Sequence, residues 1–312
     1  MYYLGIDTSN YTTSAAVLDS EGKLVWERRR LLKVPRGQRG LRQSEAFFQH
    51  VRKFPDIFQV PAGLSGKLSG VAVSTRPRDV ESSYMPVFVA GTSFARVISQ
   101  ALGIPLLECS HQQNHLAAGL WSTGWWPQEK FLALHLSGGT SEILEVEWDK
   151  SFKIKLLGES KDINAGQFID RVGVALGLDF PAGPQLETLA AGARGEVRLA
   201  SSVHQMDMSF SGPLSAALRL AGSVDPGELA RGVEDCIAKA VEKALLRAAQ
   251  VSGCKQVFFV GGVMSNARLR QRLSRRLEHK GVGLKLHFAT PAASRDSAIG
   301  CAVLAWRKFS RG

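Results

Sequence analysis

Tyr2-Tyr3-Leu4-Gly5-Ile6-Asp7-Thr8-Ser9 runs through Asn10-Tyr11-Thr12-Thr13-Ser14 into Ala15-Ala16-Val17-Leu18-Asp19. An apolar strand, a Gly/Ser/Thr turn and a second apolar strand follow one another. The same order recurs about half a chain later. Phe131-Leu132-Ala133-Leu134-His135-Leu136 leads through Ser137-Gly138-Gly139-Thr140-Ser141 into Glu142-Ile143-Leu144-Glu145-Val146. Turns of this kind expose backbone N–H groups and hydroxyls at a strand end, where phosphate oxygens can be cradled. Two such hairpins predict a duplicated lobe with a nucleotide between the halves.

A third stretch supports this reading. Gln256-Val257-Phe258-Phe259-Val260 reads as a buried strand that enters Gly261-Gly262-Val263-Met264-Ser265-Asn266 and then a basic helix. Glycines at a strand-to-helix junction let a flat ring approach the backbone and present a helix N-terminus to a phosphate or ribose. Two phosphate loops and a late Gly-Gly loop, in that order, predict an α/β chain of the actin, hexokinase and Hsp70 type. This is the actin-like ATPase fold (ASKHA, duplicated ribonuclease H-like), with two lobes around a nucleotide cleft. The lobes are expected at residues 1–129 and 130–312. The alternative is three unrelated strand turns in an ordinary α/β enzyme.

A length of 312 residues suits about two domains, and 45% hydrophobic residues supply material for their cores. No apolar run reaches 18 residues, so no membrane span is expected. The chain enters a strand at once, with Asp7 inside it, which predicts no signal peptide. Cys109, Cys236, Cys254 and Cys301 are scattered without a CxxC pair, as reduced thiols in a cytosol would be. The net charge is +11. Its basic runs are Arg28-Arg29-Arg30, the stretch with Arg36, Arg39 and Arg42, and the arginines from Arg268 to Arg276. They fit either a nucleic-acid partner or a solvated basic surface.

Three strands are expected within residues 1–33, with a turn at Ser20-Glu21-Gly22, followed by a Gly- and Arg-rich loop to residue 45. Helices are expected over 44–58 with Ser44 as cap, over 87–102, and from His111 with Ser110 as cap. Others are expected over 164–176, from Gly183, over 226–252, over 267–280, and from Asp296 onward. Further strands are expected at 68–74, 106–109, in a hairpin through 157, and at 206–212 with a turn at Gly212.

His111 and His115 stand four residues apart, on one face of a helix, where one metal ion can bind both. The chain has only seven histidines. Satisfied surface histidines would give the same spacing. A borderline ion such as Zn²⁺ or Fe²⁺ would need a carboxylate or water beside them, and Asp296 is the candidate. Asp170, inside a helix, could accept from a pair of ribose hydroxyls or simply pair with Arg171.

The chain resembles the TsaD/Gcp/YgjD family over nearly its whole length. The shared stretches are Gly5-Ile6-Asp7-Thr8-Ser9, His111-x-x-x-His115, Ser137-Gly138-Gly139-Thr140 and Gly158-Glu159-Ser160 with residues 162–178. Pro181-Ala182-Gly183-Pro184, Ser209-Phe210-Ser211-Gly212, and Gly261-Gly262-Val263 with Asn266 complete the set. Family members carry an actin-like fold and transfer a threonylcarbamoyl group to the adenine beside the anticodon of tRNAs. They were once described as O-sialoglycoprotein endopeptidases. The resemblance implies that His111, His115 and Asp296 hold a divalent metal, iron or zinc, with magnesium a further candidate. It implies that Ser137, Gly138, Gly139 and Thr140 cradle phosphate. Asp170, Gly183, Gly262 and Asn266 would hold the ribose and adenine of ATP, AMP or threonylcarbamoyl-adenylate. Asp7 and Ser9 would carry catalysis. The implied partners are tRNA and TsaB-like and TsaE-like proteins, in the cytoplasm and away from membranes.

The chain departs from the family in three places. Asn10-Tyr11-Thr12 stands where the family carries two acids. Thr140 stands where it carries a histidine. Ser294-Arg295-Asp296-Ser297 replaces its closing Thr-Asp-Asn stretch. The chain therefore reads as a divergent paralogue. A carbamoyltransferase with a small-molecule acceptor and a non-catalytic nucleotide-binding partner are the competing readings. A sugar kinase would rest on fold alone. A protease lacks the Glu that a His-x-x-x-His metalloprotease helix requires.

Overall fold

β1 (Tyr2–Asp7) is buried on both faces. Successive side chains alternate across it. Leu4 and Ile6 enter a core with Phe54, Val71 and Ala95, so Gly5 and Asp7 face the other way. The computed structural model of the protein describes residues 1–9, 11–35, 40–80 and 82–310.

The chain divides into two units, and the first begins with β1. It continues through β2 (Thr12–Asp19), β3 (Leu24–Leu31), α1 (Gln43–Ile57), the short α2 (Ala62–Ser65), β4 (Leu68–Arg76), α3 (Val87–Leu102), β5 (Leu106–Ser110) and α4 (His111–Thr123). Its sheet runs β3-β2-β1-β4-β5. β1, β2 and β3 pair antiparallel, as hairpins do, while β1, β4 and β5 pair parallel through helical crossovers.

The second unit holds Pro127–Pro291. β6 (Phe131–Leu136), β7 (Ser141–Trp148) and β8 (Phe152–Glu159) form a meander, followed by α5 (Ala165–Ala175) and α6 (Gly183–Ala190). The small ribbon β9 (Ser202–His204) and β10 (Asp207–Ser209) precedes α7 (Ser211–Leu220), α8 (Pro226–Ser252) and β11 (Gln256–Val260). A 3₁₀ turn (Gly262–Ser265), α9 (Ala267–Leu277) and β12 (Lys285–Phe288) follow, and α10 (Pro291–Ser294) begins at the boundary and belongs mostly to the first unit. Its sheet runs β12-β11-β6-β7-β8, again with an antiparallel meander and two parallel neighbours. Read from the first strand outward, this is the order of the first unit, which is the predicted duplication.

The last helix, α11 (Ile299–Phe309), packs in the first unit. A boundary at residue 129 had placed it with the second lobe. α11 lies against β1 and α4, where Gly300 is required: a methyl group there would overlap the Asn114 carbonyl. Asp296 precedes this helix instead of opening it, so its carboxylate sits in a loop. Helix α1 starts after Arg42 without a side-chain cap, not at Ser44. Gly212-Pro213 reads as a turn but begins α7, since the first turn of a helix has no use for its N–H groups. Strands β9 and β12 were not anticipated, because three and four residues give too short a pattern to read. No helix among the described residues is long and apolar enough to cross a membrane.

Candidate metal centre and nucleotide loops

In the first unit, β1, β4 and β5 place their carboxyl ends side by side. Open α/β sheets bind ligands at such ends. Asp7 ends β1, Ser74 lies near the end of β4, and Ser110 ends β5 and starts α4. Ser110 forms the predicted cap: its hydroxyl accepts from Gln113 N, and Gln113 Oε1 accepts from Ser110 N. A capping box of this kind is worth ~1 kcal/mol and fixes where the first turn begins. It therefore fixes His111. Helix α4 is buried nearly all round from His111 to Leu120, so its sequence shows no polar face.

His111 and His115 lie on one face of α4 with their Nε2 atoms 3.0 Å apart. Asp296 Oδ1 stands 3.2 Å from His115 Nε2 and 3.6 Å from His111 Nε2. These ligand atoms all fall within 4.8 Å of one another. Two ring nitrogens each about 2.1 Å from one ion stand roughly 3 Å apart, so the triad fits a divalent metal. Behind it, His111 Nδ1 lies 3.2 Å from Asp7 Oδ1. A carboxylate on Nδ1 fixes the ring and leaves Nε2 for the ion.

Asp7 is fully buried and held from several sides. The Ser74 hydroxyl donates to Oδ1, and the Ser9 hydroxyl donates to Oδ2 at 2.6 Å. Burial would raise the Asp7 pKa, but His111 and these donors hold it below the usual carboxylate range. Burial likewise pushes His111 down, yet Asp7 and Asp296 outweigh it and lift its pKa to about 10. Burial and the His111 charge push His115 down. Asp296 is lowered despite burial, because both imidazoles face it. Two carboxylates thus face His111 from opposite sides, an arrangement that favours positive charge between them.

Asp7 and Ser9, expected as catalytic residues, thus sit behind the triad. The other hydroxyls of the first loop are also engaged within the unit. Thr8 Oγ1 donates to Val87 O at 3.0 Å and Ser14 Oγ donates to Asp7 O at 3.1 Å. The first hairpin therefore braces the His111–His115–Asp296 cluster through Asp7. Asn10, which replaces one of the family's acids, lies outside the described residues.

One contributor escaped sequence reading. Asn114, between the two histidines, donates from Nδ2 to Ser297 O at 2.8 Å, and its Oδ1 accepts from Cys301 N at 2.8 Å. Ala298 cannot cap α11, and Asn114 does so from α4. The segment that carries Asp296 is tied to the helix that carries the histidines. Nothing in the sequence points to partners 183 and 187 residues away.

In the second unit, the strand ends carry glycines instead. Ser137 follows β6, and its N–H donates to Thr140 O at 2.8 Å, closing the loop. Ser137 Oγ is buried with no hydrogen-bond partner among the described residues, while Gly138 and Gly139 are exposed. A phosphate oxygen would satisfy that hydroxyl. Gly261 follows β11 with φ of 102°, and a methyl group there would overlap the Leu136 carbonyl. The loop also rests on Gly166, in the first turn of α5. The serine loop, the late glycines and a helix N-terminus are thus brought together.

Asp170 lies one turn beyond Gly166 on α5. Its Oδ1 accepts from Ala182 N at 2.8 Å, beside Gly183. Burial lifts its pKa to about 6, against the pull of that amide. Asn266 caps α9: Oδ1 accepts from Leu269 N at 2.8 Å and Nδ2 donates to Glu234 Oε1 at 2.6 Å. Gly262 opens the 3₁₀ turn that leads to it.

Known proteins share both the sequence and the architecture. The family model for TsaD, tRNA N6-adenosine threonylcarbamoyltransferase, matches residues 62–299. A tRNA N6-adenosine threonylcarbamoyltransferase of Thermus thermophilus is 31% identical over 320 residues, covering 100% of this chain and 94% of its own. The HypF structure of T. kodakarensis superposes with a TM-score of 0.63 at 14% identity, over 98% of this chain and 48% of that one. The activator of the 2-hydroxyisocaproyl-CoA dehydratase from Clostridium difficile, solved with bound ADPNP, gives a TM-score of 0.58 at 14% identity, over 100% and 96%. The two structures share the actin-like ATPase fold with this chain. With its cluster of His111, His115 and Asp296, its duplicated sheets and its match over most of its length, the chain belongs to the TsaD family of tRNA N6-adenosine threonylcarbamoyltransferases.

Proposed function

We infer that this chain is an acyltransferase of tRNA modification, moving a threonylcarbamoyl group from threonylcarbamoyl-adenylate to N6 of the adenosine beside the anticodon. The observation that carries the reading is the convergence of His111, His115 and Asp296, with Asp7 behind His111, in a chain of this family. A divalent ion held there, iron or zinc, would supply Lewis acidity toward the donor's phosphate or carbonyl.

The chain's own residues supply the rest. Asp7 keeps the His111 ring in one orientation. The Ser137 hydroxyl and the backbone N–H groups of Gly138, Gly139 and Thr140 receive phosphate oxygens. Asp170 accepts from ribose hydroxyls, and Gly183, Gly262 and Asn266 border the adenine. The N6 lone pair attacks the carbamoyl carbonyl, a new C–N bond forms, and the bond from that carbon to the phosphate oxygen breaks. AMP leaves with the electron pair, and the N6 proton passes to water. Loop N–H groups steady the charge on the departing phosphate. Membership of this family supports a cytoplasmic protein that works with TsaB-like and TsaE-like partners.

The test is direct. The purified chain, metal-loaded, is incubated with unmodified tRNA and threonylcarbamoyl-adenylate, and the nucleosides are read by mass spectrometry. The wild type should form threonylcarbamoyl-adenosine. The double variant His111→Ala/His115→Ala should lose bound metal by elemental analysis and at least ~100-fold in rate. Threonylcarbamoyl transfer to small amines or hydroxyls but never to tRNA would overturn the reading.

A further inference from the structure

Charge counting expects the arginines at 28–42 and 268–276 to form a basic surface. The structure gives them different work. Arg36 and Arg39 lie outside the described residues. Arg28, Arg29 and Arg30 are exposed on β3, the edge strand of its sheet, where charge discourages pairing with other chains. On α9, Arg268, Arg272 and Arg276 recur every four residues and reach across to α8. Arg268 pairs with Glu234 and Asp235 at 3.1 and 2.8 Å, Arg272 with Asp235 at 3.2 Å, and Arg276 with Glu242 at 2.9 Å. Arg270 donates to the Met264 and Ala289 carbonyls. These four arginines are struts.

Beside this ladder lies a depression of about 310 Å³ between α8 and α9, lined by Lys239, Glu242, Lys243, Arg272, Arg275 and Arg276. Five cations there face one carboxylate. Among the described residues, no carboxylate lies within ion-pair distance of Lys239, Lys243 or Arg275. Arg275 has a structural reason to be where it is, since the last turn of a helix favours a cation. Lys243 donates only to the Ser201 hydroxyl, at 3.3 Å, and neither it nor Lys239 is placed by a helix end. They stand in the middle of α8, far from either terminus, and like charges four residues apart destabilise a helix by a few tenths of a kcal/mol. A concave surface of one sign concentrates ions of the other.

We propose that this α8–α9 groove docks the phosphate backbone of the tRNA substrate, through Lys239, Lys243 and Arg275. The proposal rests on the reading of tRNA as acceptor. It concerns backbone phosphates and carries no sequence preference of its own.

Binding of tRNA is measured against salt concentration for the metal-loaded wild type and for the triple variant Lys239→Gln/Lys243→Gln/Arg275→Gln. Each lost phosphate contact lowers the slope of log K against log salt by about 0.7–0.9, so the slope should fall by roughly 2. Affinity at low salt should drop at least tenfold, with thermal stability unchanged. The control variant Arg28→Gln/Arg29→Gln/Arg30→Gln removes the same net charge and should leave the slope near that of the wild type. Equal slopes for wild type and groove variant would overturn the groove assignment alone. An equal fall in the control would also overturn it, by showing an effect of net charge. A wild type with no salt-sensitive tRNA association would remove the tRNA reading and the groove with it.

Discussion

Asn114→Ala tests whether the metal triad is assembled by its ligands or by the residue between them. The substitution removes the amide that accepts from Cys301 N and donates to Ser297 O, each at 2.8 Å. Both partners are main-chain groups at the buried start of α11. Leaving a buried donor or acceptor unsatisfied costs ~1–3 kcal/mol, so the two together cost about 2–6 kcal/mol. For a unit of this size the unfolding midpoint should fall by roughly 5–15 °C. The second consequence is specific to the site. Asp296 directly precedes Ser297, so its carboxylate loses the tie that holds it against His115. Second-layer changes of this kind cost 10–100-fold in metal affinity. Metal binding is followed by competition with a chromophoric chelator, and stability by thermal unfolding of the metal-free protein. A variant that unfolds early yet binds metal with wild-type affinity would reduce Asn114 to a helix cap. A variant within twofold of wild type in affinity and within a degree in midpoint would refute the reasoning altogether.

Two further outcomes follow from the second unit. The Asp170 carboxyl, lifted by burial to about 6, holds a proton in the native state that the unfolded chain has released once pH passes its ordinary value near 4. Its ionisation therefore lowers stability progressively as pH rises from about 4 to 6, and the loss is complete above that. Asp170→Asn should be neutral at pH 4, raise the midpoint of urea unfolding at pH 8, and weaken adenine-nucleotide binding. A variant equally stable or less stable at pH 8 would contradict the assignment. Gly261→Ala forces a methyl group onto the Leu136 carbonyl at a φ of 102° and should cost roughly 2–4 kcal/mol, with nucleotide affinity falling and metal content retained. Unchanged urea unfolding would show that the late glycine loop does not pack as described.

What the sequence discloses here depends on how far its partners lie along the chain. The strand-turn-strand repeats are local, and they predict both sheets because each meander is closed by its own turn. The histidine pair is local too, since helical geometry converts a spacing of four into a shared face. Asp296 is offered by the sequence only as a candidate carboxylate to complete the pair, and Asn114 and Ser74 are not offered at all. Their partners are brought in by packing: α11 settles on β1 and α4, and β4 pairs beside β1. Charge is read worst of all, because composition counts arginines without seeing the acids they meet. Arg268, Arg272 and Arg276 look like a polyanion surface and turn out to be struts, while Lys239 and Lys243 attract no notice in the sequence.

The duplication also shows how one topology serves two chemistries. Each sheet leaves the ends of its parallel strands side by side, and what stands there decides the ligand. In the first unit the ends carry Asp7, Ser74 and the capped start of α4, linked by hydrogen bonds from Ser74 and His111 to Asp7, so the site gathers negative charge suited to a cation. In the second they carry Ser137 to Thr140 and Gly261, with exposed glycines and an unsatisfied hydroxyl, so the site offers donors to an anion. The departures at Tyr11 and Thr140 fall outside the strands, and that at Thr12 on the first residue of β2. Thr12 is buried, as is Thr13 after it, and His111, His115 and Asp296 come together without the two acids the family carries there. Metal retention in this chain is therefore expected to depend on Asp7 and Asn114, which reach the triad from β1 and from within α4, and not on acids in the first loop.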